Sequence, residues 1–204
     1  MPSGRPSDDQ VLTPQRILDA TEEVLRRYGP TKANVADVAR ALRVSPGSIY
    51  RHFPSKVALR EAVTRHWLDR IHAGLRTIAD ENGPAPERLE RWMRTLFEAK
   101  RDYAVREPEL FGTYMTLVSE FGYVETEHLA ALIDQLTQII ESGVERGEYG
   151  VVDATATART VLWCTTRFNH PLLAGEWEQP DMEEELHATM ALLNAGLAAL
   201  DRTG

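Results

Sequence analysis

The chain of 204 residues has a single cysteine, Cys164. One thiol excludes an internal disulfide framework and a cysteine-built zinc site, and in the middle of a helical stretch it reads as a small buried hydrophobe. No run of about 18 apolar residues occurs, so no membrane span is expected. The opening segment MPSGRPSDDQ is polar and lacks the apolar core of a secretory signal, which points to a soluble, cytoplasmic protein. Six histidines (His52, His66, His72, His128, His170, His187) are scattered, with no pair at the i, i+4 spacing of a helical metal site. His66 and His72 read as surface or capped side chains. With no glycine-rich phosphate loop and no nucleophile motif, enzymatic chemistry finds little footing, and neither metal nor cofactor is expected. Internal repeats and low-complexity tracts are also missing.

What is present begins with Asn34 to Lys56, NVADVARALRVSPGSIYRHFPSK. Val35, Val38, Ala39 and Leu42 fall at i, i+3, i+4 and i+7, one apolar stripe of a short helix that Asn34 can cap and whose first turn Asp37 suits electrostatically. After a turn, Ser45 caps a second helix with Pro46 at its first position, where the missing N–H costs nothing. Ile49 and Phe53 form its buried pair, leaving Gly47 and Arg51 on the opposite side and Ser48 and Tyr50 on the flanks. That exposed side suits a duplex. Gly47 permits close backbone approach, Tyr50 can donate to a phosphate or rest on a thymine methyl, and Arg51 can pair with guanine or phosphate. His52 and Lys56 are phosphate ligands by type, and Lys56 follows Ser55, the cap of the next helix, so that ammonium and free N–H groups can act together. A generic three-helix unit with a solvated basic face would fit the bare two-helix pattern as well.

The net charge of -8 conceals a polarity. Residues 1–60 hold 10 Lys+Arg and 6 Asp+Glu, giving +4, whereas residues 61–204 hold 13 and 25, giving -12. A basic end can supply sequence-independent attraction for phosphates while the acidic remainder faces away.

The whole string resembles the N-terminal domain of the tetracycline-repressor-like (TetR) family of bacterial regulators. Val35, Asp37, Ala39, Val44, Ser45, Gly47, Tyr50, His52, Phe53 and Lys56 match its signature at the same spacing. The resemblance covers about the first third of the chain and implies DNA-binding residues Lys32, Asn34, Ser45, Pro46, Gly47, Ser48, Tyr50, Arg51, His52 and Lys56. Gly47 and Tyr50 are expected against the major groove, with Tyr50, His52 and Lys56 on phosphates. Two departures matter. Arg43 replaces a turn glycine where a left-handed conformation is often needed, so the turn must differ or tolerate strain. Ala36 stands where some relatives carry a base-reading side chain, which shifts readout to the second helix.

The rest reads as all-α, about nine helices in total. A flexible arm, residues 1–12, holds Arg5, which is either idle or within reach of DNA. The helix-turn-helix domain occupies residues 13–54, and a larger helical domain residues 55–204. Thr13 and Pro14 open the first helix, with Ile17, Val24, Leu25 and Tyr28 turned inward and Gly29-Pro30 ending it. A long fourth helix is expected from Ser55 to about Asp80, followed by helices near Glu87–Arg106, Glu109–Phe121, Glu125–Arg146, Asp153–His170 and Asp181–Leu200, with Asp153 and Asp181 as caps.

In the last helix Leu186, Met190, Leu193, Leu197 and Leu200 step by 4, 3, 4 and 3, a stripe that fits ordinary core as well as an interface. The resemblance implies a homodimer built from the final two helices, with Ala158, Leu162, Leu186, Met190, Leu193 and Leu197 at the seam. It also implies an effector cavity. Trp92, Phe97, Phe111, Tyr114, Met115, Trp163 and Phe168 suit its lining, with Arg167 and His170 as polar anchors, although each aromatic reads equally as core. Arg94, Glu120 and Asn169 can orient a ligand or sit in surface pairs.

The expectation is a homodimeric regulator, more a repressor than an activator. It binds a palindromic double-stranded operator and is released by an apolar or amphipathic small molecule. Two rivals stay open: a constitutive or partner-controlled helix-turn-helix protein without an effector, and a helical enzyme or structural dimer that has lost DNA binding.

Overall fold

Local capping sets the first helix boundaries. Thr13 Oγ1 accepts from the Arg16 N–H at 3.3 Å and Pro14 takes the first position, starting α1. Asn34 Oδ1 accepts from Asp37 N–H at 3.0 Å, Ser45 Oγ from Ser48 N–H at 3.2 Å, Ser55 Oγ from Ala58 N–H at 3.0 Å and Asp153 Oδ1 from Ala156 N–H at 2.8 Å. The structure, a computed structural model, describes residues 11–150 and 153–200. All but the last two residues of the expected arm, Arg5 included, lie outside these. Among the described residues there is no strand, and the helices are α1 (Pro14–Lys32), α2 (Val35–Leu42), α3 (Pro46–Tyr50), α4 (Lys56–Ile71), α5 (Leu75–Asp80), α6 (Ala85–Arg106), α7 (Pro108–Glu120), α8 (Gly122–Glu145), α9 (Ala154–Cys164), α10 (Thr166–Asn169), a 3-10 helix (Pro171–Glu176) and α11 (Met182–Ala199). No helix among the described residues is long and apolar enough to cross a membrane.

The expected nine helices become more because two of them break. The long fourth helix stops at Ile71 and restarts at Leu75, since Gly74 adopts φ 98° and its N–H cannot continue the ladder. The eighth ends at Cys164. There Thr165 Oγ1 bonds back to the carbonyls of Val161 at 2.8 Å and Leu162 at 3.2 Å, and Asn169 Nδ2 donates to Thr165 O at 2.8 Å. Such back-bonding competes with the helical ladder. Asn169 thus serves the backbone rather than a ligand. Asp181 makes no side-chain cap, contrary to expectation. Tyr28 is exposed instead of inward, with the Arg27 guanidinium over its ring.

Contacts divide the chain into two units, and the division is not at residue 55. The first comprises residues 11–67 together with 109–124. Its core holds Ile17, Val24, Leu25, Val35, Val38, Ala39, Ile49, Leu59 and Val63. Within it, α7 lies on α4: Trp67 stacks on Tyr114 with centroids 4.2 Å apart and planes 6° from parallel, and meets Phe111 edge-on at 6.3 Å. Arg60 grips Glu120 with both arms, at 3.0 and 2.5 Å.

The second unit comprises residues 68–108, 125–150 and 153–200. Leu75, Leu89, Trp92, Met93, Leu96, Phe97, Leu136, Ile139, Tyr149, Met182, Leu186 and Met190 are buried there. Arg88, also buried, caps the end of α5 from α6, donating from Nε to Ile78 O at 3.3 Å and from Nη2 to Ala79 O at 2.5 Å, while Nη1 reaches Ser142 Oγ at 2.8 Å. Glu148 Oε2 accepts the Ala85 N–H at 2.7 Å and so caps α6 from a distant turn. Burial pushes the Glu148 carboxyl up, but the Ala85 N–H and Arg146 outweigh it and leave the group below its ordinary range.

Candidate nucleic-acid interface

The α2–α3 turn depends on one unusual backbone. Arg43 stands at φ 57°, ψ 39°, the one positive-φ residue other than glycine among the described residues. Its conformation lets Val44 N–H reach back to Ala39 O at 3.0 Å and Arg43 N–H to Arg40 O at 3.2 Å, the closure glycine usually provides. The missing glycine therefore does not change the turn; arginine adopts the left-handed state itself.

Helix α3 is five residues long and buries Ile49 completely, with Phe53 half-buried just beyond. Everything else on it is available. Ser45, Pro46, Gly47, Tyr50, Arg51 and His52 are exposed, and Ser48 is half-buried. Ser45 Oγ lies 3.0 Å from Ser48 Oγ, and Arg51 Nη2 donates to Ser48 Oγ at 3.2 Å, so the guanidinium is held along the outer face rather than swinging free. Lys56 is the first residue of α4, beside the Ser55 cap, and is exposed, as are Lys32 and Asn34. All ten expected DNA-binding residues are thus exposed or half-buried, eight of them on or flanking α3 and at the start of α4, with Lys32 at the end of α1 and Asn34 at the cap of α2.

This face presents cations, hydroxyls, a glycine approach point and helix N-terminal N–H groups. No compensating carboxylate lies on α3, and Asp37 is engaged by Arg40 at 2.7 Å. Such a surface can hold phosphates with Tyr50, His52 and Lys56 while aiming α3 at base edges.

The expected effector residues fall into both units. Phe111, Tyr114 and Met115 belong to the first, Trp92, Phe97, Trp163, Arg167, Phe168 and His170 to the second. In the second, Phe97 meets Phe168 at 6.1 Å and Trp177 at 6.3 Å, both edge-on, and Trp92 Nε1 donates to Gln135 Oε1 at 3.0 Å. Arg167 pairs with Glu176 at 3.2 Å and Glu185 at 2.5 Å, and His170 Nδ1 accepts from the Leu172 N–H at 3.3 Å, so both are used locally. Arg94 pairs with Glu90 on its own helix. Trp163 is 61% exposed and points out of the chain, so it cannot line an interior site in its own subunit. Trp177 and the contact of His72 with the half-buried His128 escaped the sequence reading, and His72 is buried rather than at the surface. The histidines are 56 positions apart, a pairing no local pattern carries.

Most of the expected seam residues lie inside the chain. Ala158, Leu162, Leu186, Met190 and Leu197 are buried within the chain, and Leu193 is half-buried. Those on α11 lie on the core-facing side of a helix that is apolar on two faces. Outward it shows Ala188, Ala191, Leu192, Ala195 and Ala199, and α9 shows Ala156, Thr160 and Trp163. Cys164, expected inside, is exposed beside Trp163.

Comparison with known proteins agrees with this architecture. Residues 17–63 match the family described as bacterial regulatory proteins, tetR family, and residues 85–190 match the tetracyclin repressor-like C-terminal domain. The HTH-type transcriptional repressor KstR2 of Mycobacterium tuberculosis is 26% identical over 160 residues, covering 76% of this chain and 80% of that protein. Among solved structures, a putative transcriptional regulator from Pseudomonas aeruginosa superposes with a TM-score of 0.71 at 20% identity, covering 96% of this chain and 98% of its own. FadR from Bacillus subtilis, solved with stearoyl-CoA, gives 0.62 at 17% identity, covering 90% and 99%. The family members are transcription regulators rather than enzymes. With the two family matches spanning both its capped reading helix and its C-terminal helices, the chain belongs to the tetR family of bacterial regulatory proteins and is a DNA-binding transcriptional regulator.

Proposed function

We propose that the protein is a homodimeric repressor that sets one α3 into each of two successive major grooves of a palindromic operator and leaves it when a small apolar or amphipathic molecule binds the C-terminal helices. The observation that carries the reading is the exposed α3 face, with Gly47, Tyr50, Arg51 and His52 outward, Ile49 alone fully buried, and Lys56 beside a capped helix start. Two such heads about one helical turn apart match the two-fold symmetry of a palindrome. The repressor role is supported by the name of KstR2, and effector binding by the FadR structure that contains stearoyl-CoA.

For the dimer, the outward alanine and leucine face of α11 with Trp163 of α9 is the surface a second copy would cover. Its small side chains permit close helix approach, and a continuous exposed apolar stripe suits an interaction site. One observation favours the rival without an effector: Phe97, Phe168 and Trp177 already satisfy one another as core.

Titration of the protein onto its upstream intergenic DNA, with and without candidate effectors, tests the proposal. The expected result is a salt-sensitive, sequence-selective complex dissociated by one compound class. A complex that no compound weakens would leave the constitutive reading, and no complex at any salt would remove DNA binding of this kind.

A further inference from the structure

Two imidazoles lie against each other inside the second unit. His72, just past the end of α4, and His128 of α8 stack with centroids 4.1 Å apart and planes tilted by 35°. His72 is 9% exposed, and the Nε2 atoms of both rings are sealed from solvent without a hydrogen-bond partner. Native interiors rarely leave a polar atom so, and here two stand side by side.

The chemistry that His72 Nε2 can accept follows from the tautomer. His72 Nδ1 lies 2.6 Å from the carbonyl oxygen of Leu68, which only accepts, so Nδ1 carries the hydrogen. In the neutral ring Nε2 then holds a lone pair and needs a donor. The ring stays neutral: burial first, then His128 and the Lys100 ammonium, hold it down to about 2. Burial and Lys100 likewise hold His128 down to about 4. Lys100, on α6, donates to Asn169 O at 2.8 Å, and its charge reaches both rings.

These facts select among occupants. A cation would be repelled by Lys100, and among the described residues no cluster of three or more metal-ligating side chains exists. A carboxylate would suit Lys100 but brings no hydrogen for the lone pair of His72. An O–H group supplies both: it donates to Nε2, and its oxygen is favoured by the positive potential. One helical turn from His72, Lys100 and His128 stand the buried aliphatic side chains of Leu68, Leu96 and Leu132 respectively, on the same helical faces, which suits an occupant that is otherwise apolar.

We infer that His72 and His128 form the polar end of a binding site for an uncharged, hydroxyl-bearing apolar molecule, such as a phenol, whose O–H is donated to His72 Nε2. This deepens the effector reading above and rests on it for the link to operator release.

The test uses the full chain labelled with 15N-histidine and a panel of phenols, from phenol to 4-phenylphenol, each set against its methyl ether. The ether keeps the shape and loses the donor. At least one phenol should move the His72 Nε2 resonance from the free lone-pair position toward the hydrogen-bonded one and bind at least tenfold tighter than its ether. His72→Phe should bring that pair within twofold, and the comparison in the unsubstituted chain stands even if the variant does not fold. Equal binding of phenols and ethers, or no movement with any phenol, overturns the inference. So does a resonance already hydrogen-bonded without any addition, which means a buried water only. A phenol that binds at His72 but leaves the operator complex intact supports the site and removes the effector reading. Operator release by a compound that leaves His72 unmoved does the reverse.

Discussion

Arg43 holds a left-handed conformation that costs an L-residue roughly 1–2 kcal/mol. Glycine would relieve it while adding unfolded-chain entropy, so Arg43→Gly is expected to stabilise the protein by about 0.5–1 kcal/mol, read as a higher urea midpoint. An unchanged midpoint would show that the turn is not left-handed in solution. Lys56 is exposed at the start of α4 and has a different role. Lys56→Ala should weaken binding to all duplexes alike and lower the slope of log K against log salt by about 1 per head, since one counterion fewer is released. A slope that does not change removes Lys56 from the phosphate contacts. Arg51→Ala distinguishes base from backbone: a loss of about 1–3 kcal/mol at one base pair per half-site assigns it to guanine, a uniform loss to phosphate.

Helix ends with side-chain caps were legible because a cap is a local event: Thr13, Asn34, Ser45, Ser55 and Asp153 each bond within three residues. The break at Gly74 was not, since the apolar spacing of Leu68, Leu75 and Ile78 runs through it and only φ 98° interrupts the ladder. Nor could spacing decide which face of α11 turns inward when both are apolar, or bring His72 to His128. That pair makes α4 and α8 sensitive to acid. The unfolded imidazoles take protons below pH 6.5, whereas the folded rings refuse them until about 4 for His128 and about 2 for His72. The unfolded state therefore binds more protons in this window, so stability is complete above pH 6.5 and falls as pH drops through it. Each ring contributes a slope of up to about 1.4 kcal/mol per pH unit. His128→Gln should remove roughly one ring's share between pH 6 and 5, above most carboxylates, in denaturation curves taken across that range. Identical slopes would mean that His128 is solvated. In the neighbouring stretch of α8, a Cβ at Gly143 would overlap the Tyr149 ring and stand 2.8 Å from Ala85 Cβ. Gly143→Ala should therefore cost about 1–3 kcal/mol despite the better helix propensity of alanine. A gain in melting temperature would show that Tyr149 can move aside.

At the scale of the whole molecule, the proposed dimer separates two kinds of leucine on one helix. Leu192 is 75% exposed and Leu186 is 2% exposed. Leu192→Arg is expected to yield folded monomers with nearly unchanged melting and much weaker operator binding, because the charge meets solvent in one chain but an apolar partner in two. Leu186→Arg should unfold the chain instead. Sedimentation of an intact Leu192→Arg dimer would move the seam elsewhere. Periodicity reports amphipathicity without direction, so it could not tell the inward leucines of α11 from the outward ones, whereas the helices and caps of the reading head were legible almost residue by residue. That head does not end where its sequence pattern ends: residues 109–124 share a contact unit with residues 11–67, and Tyr114 covers the Trp67 ring. For recombination, natural or designed, this means that a single crossover after α4 would strip Trp67 and Arg60 of their stacking and ionic partners. A chimaera that exchanges operator specificity by transplanting the head needs two separate donor segments, or else a recipient α7 able to present the same ring and carboxylate.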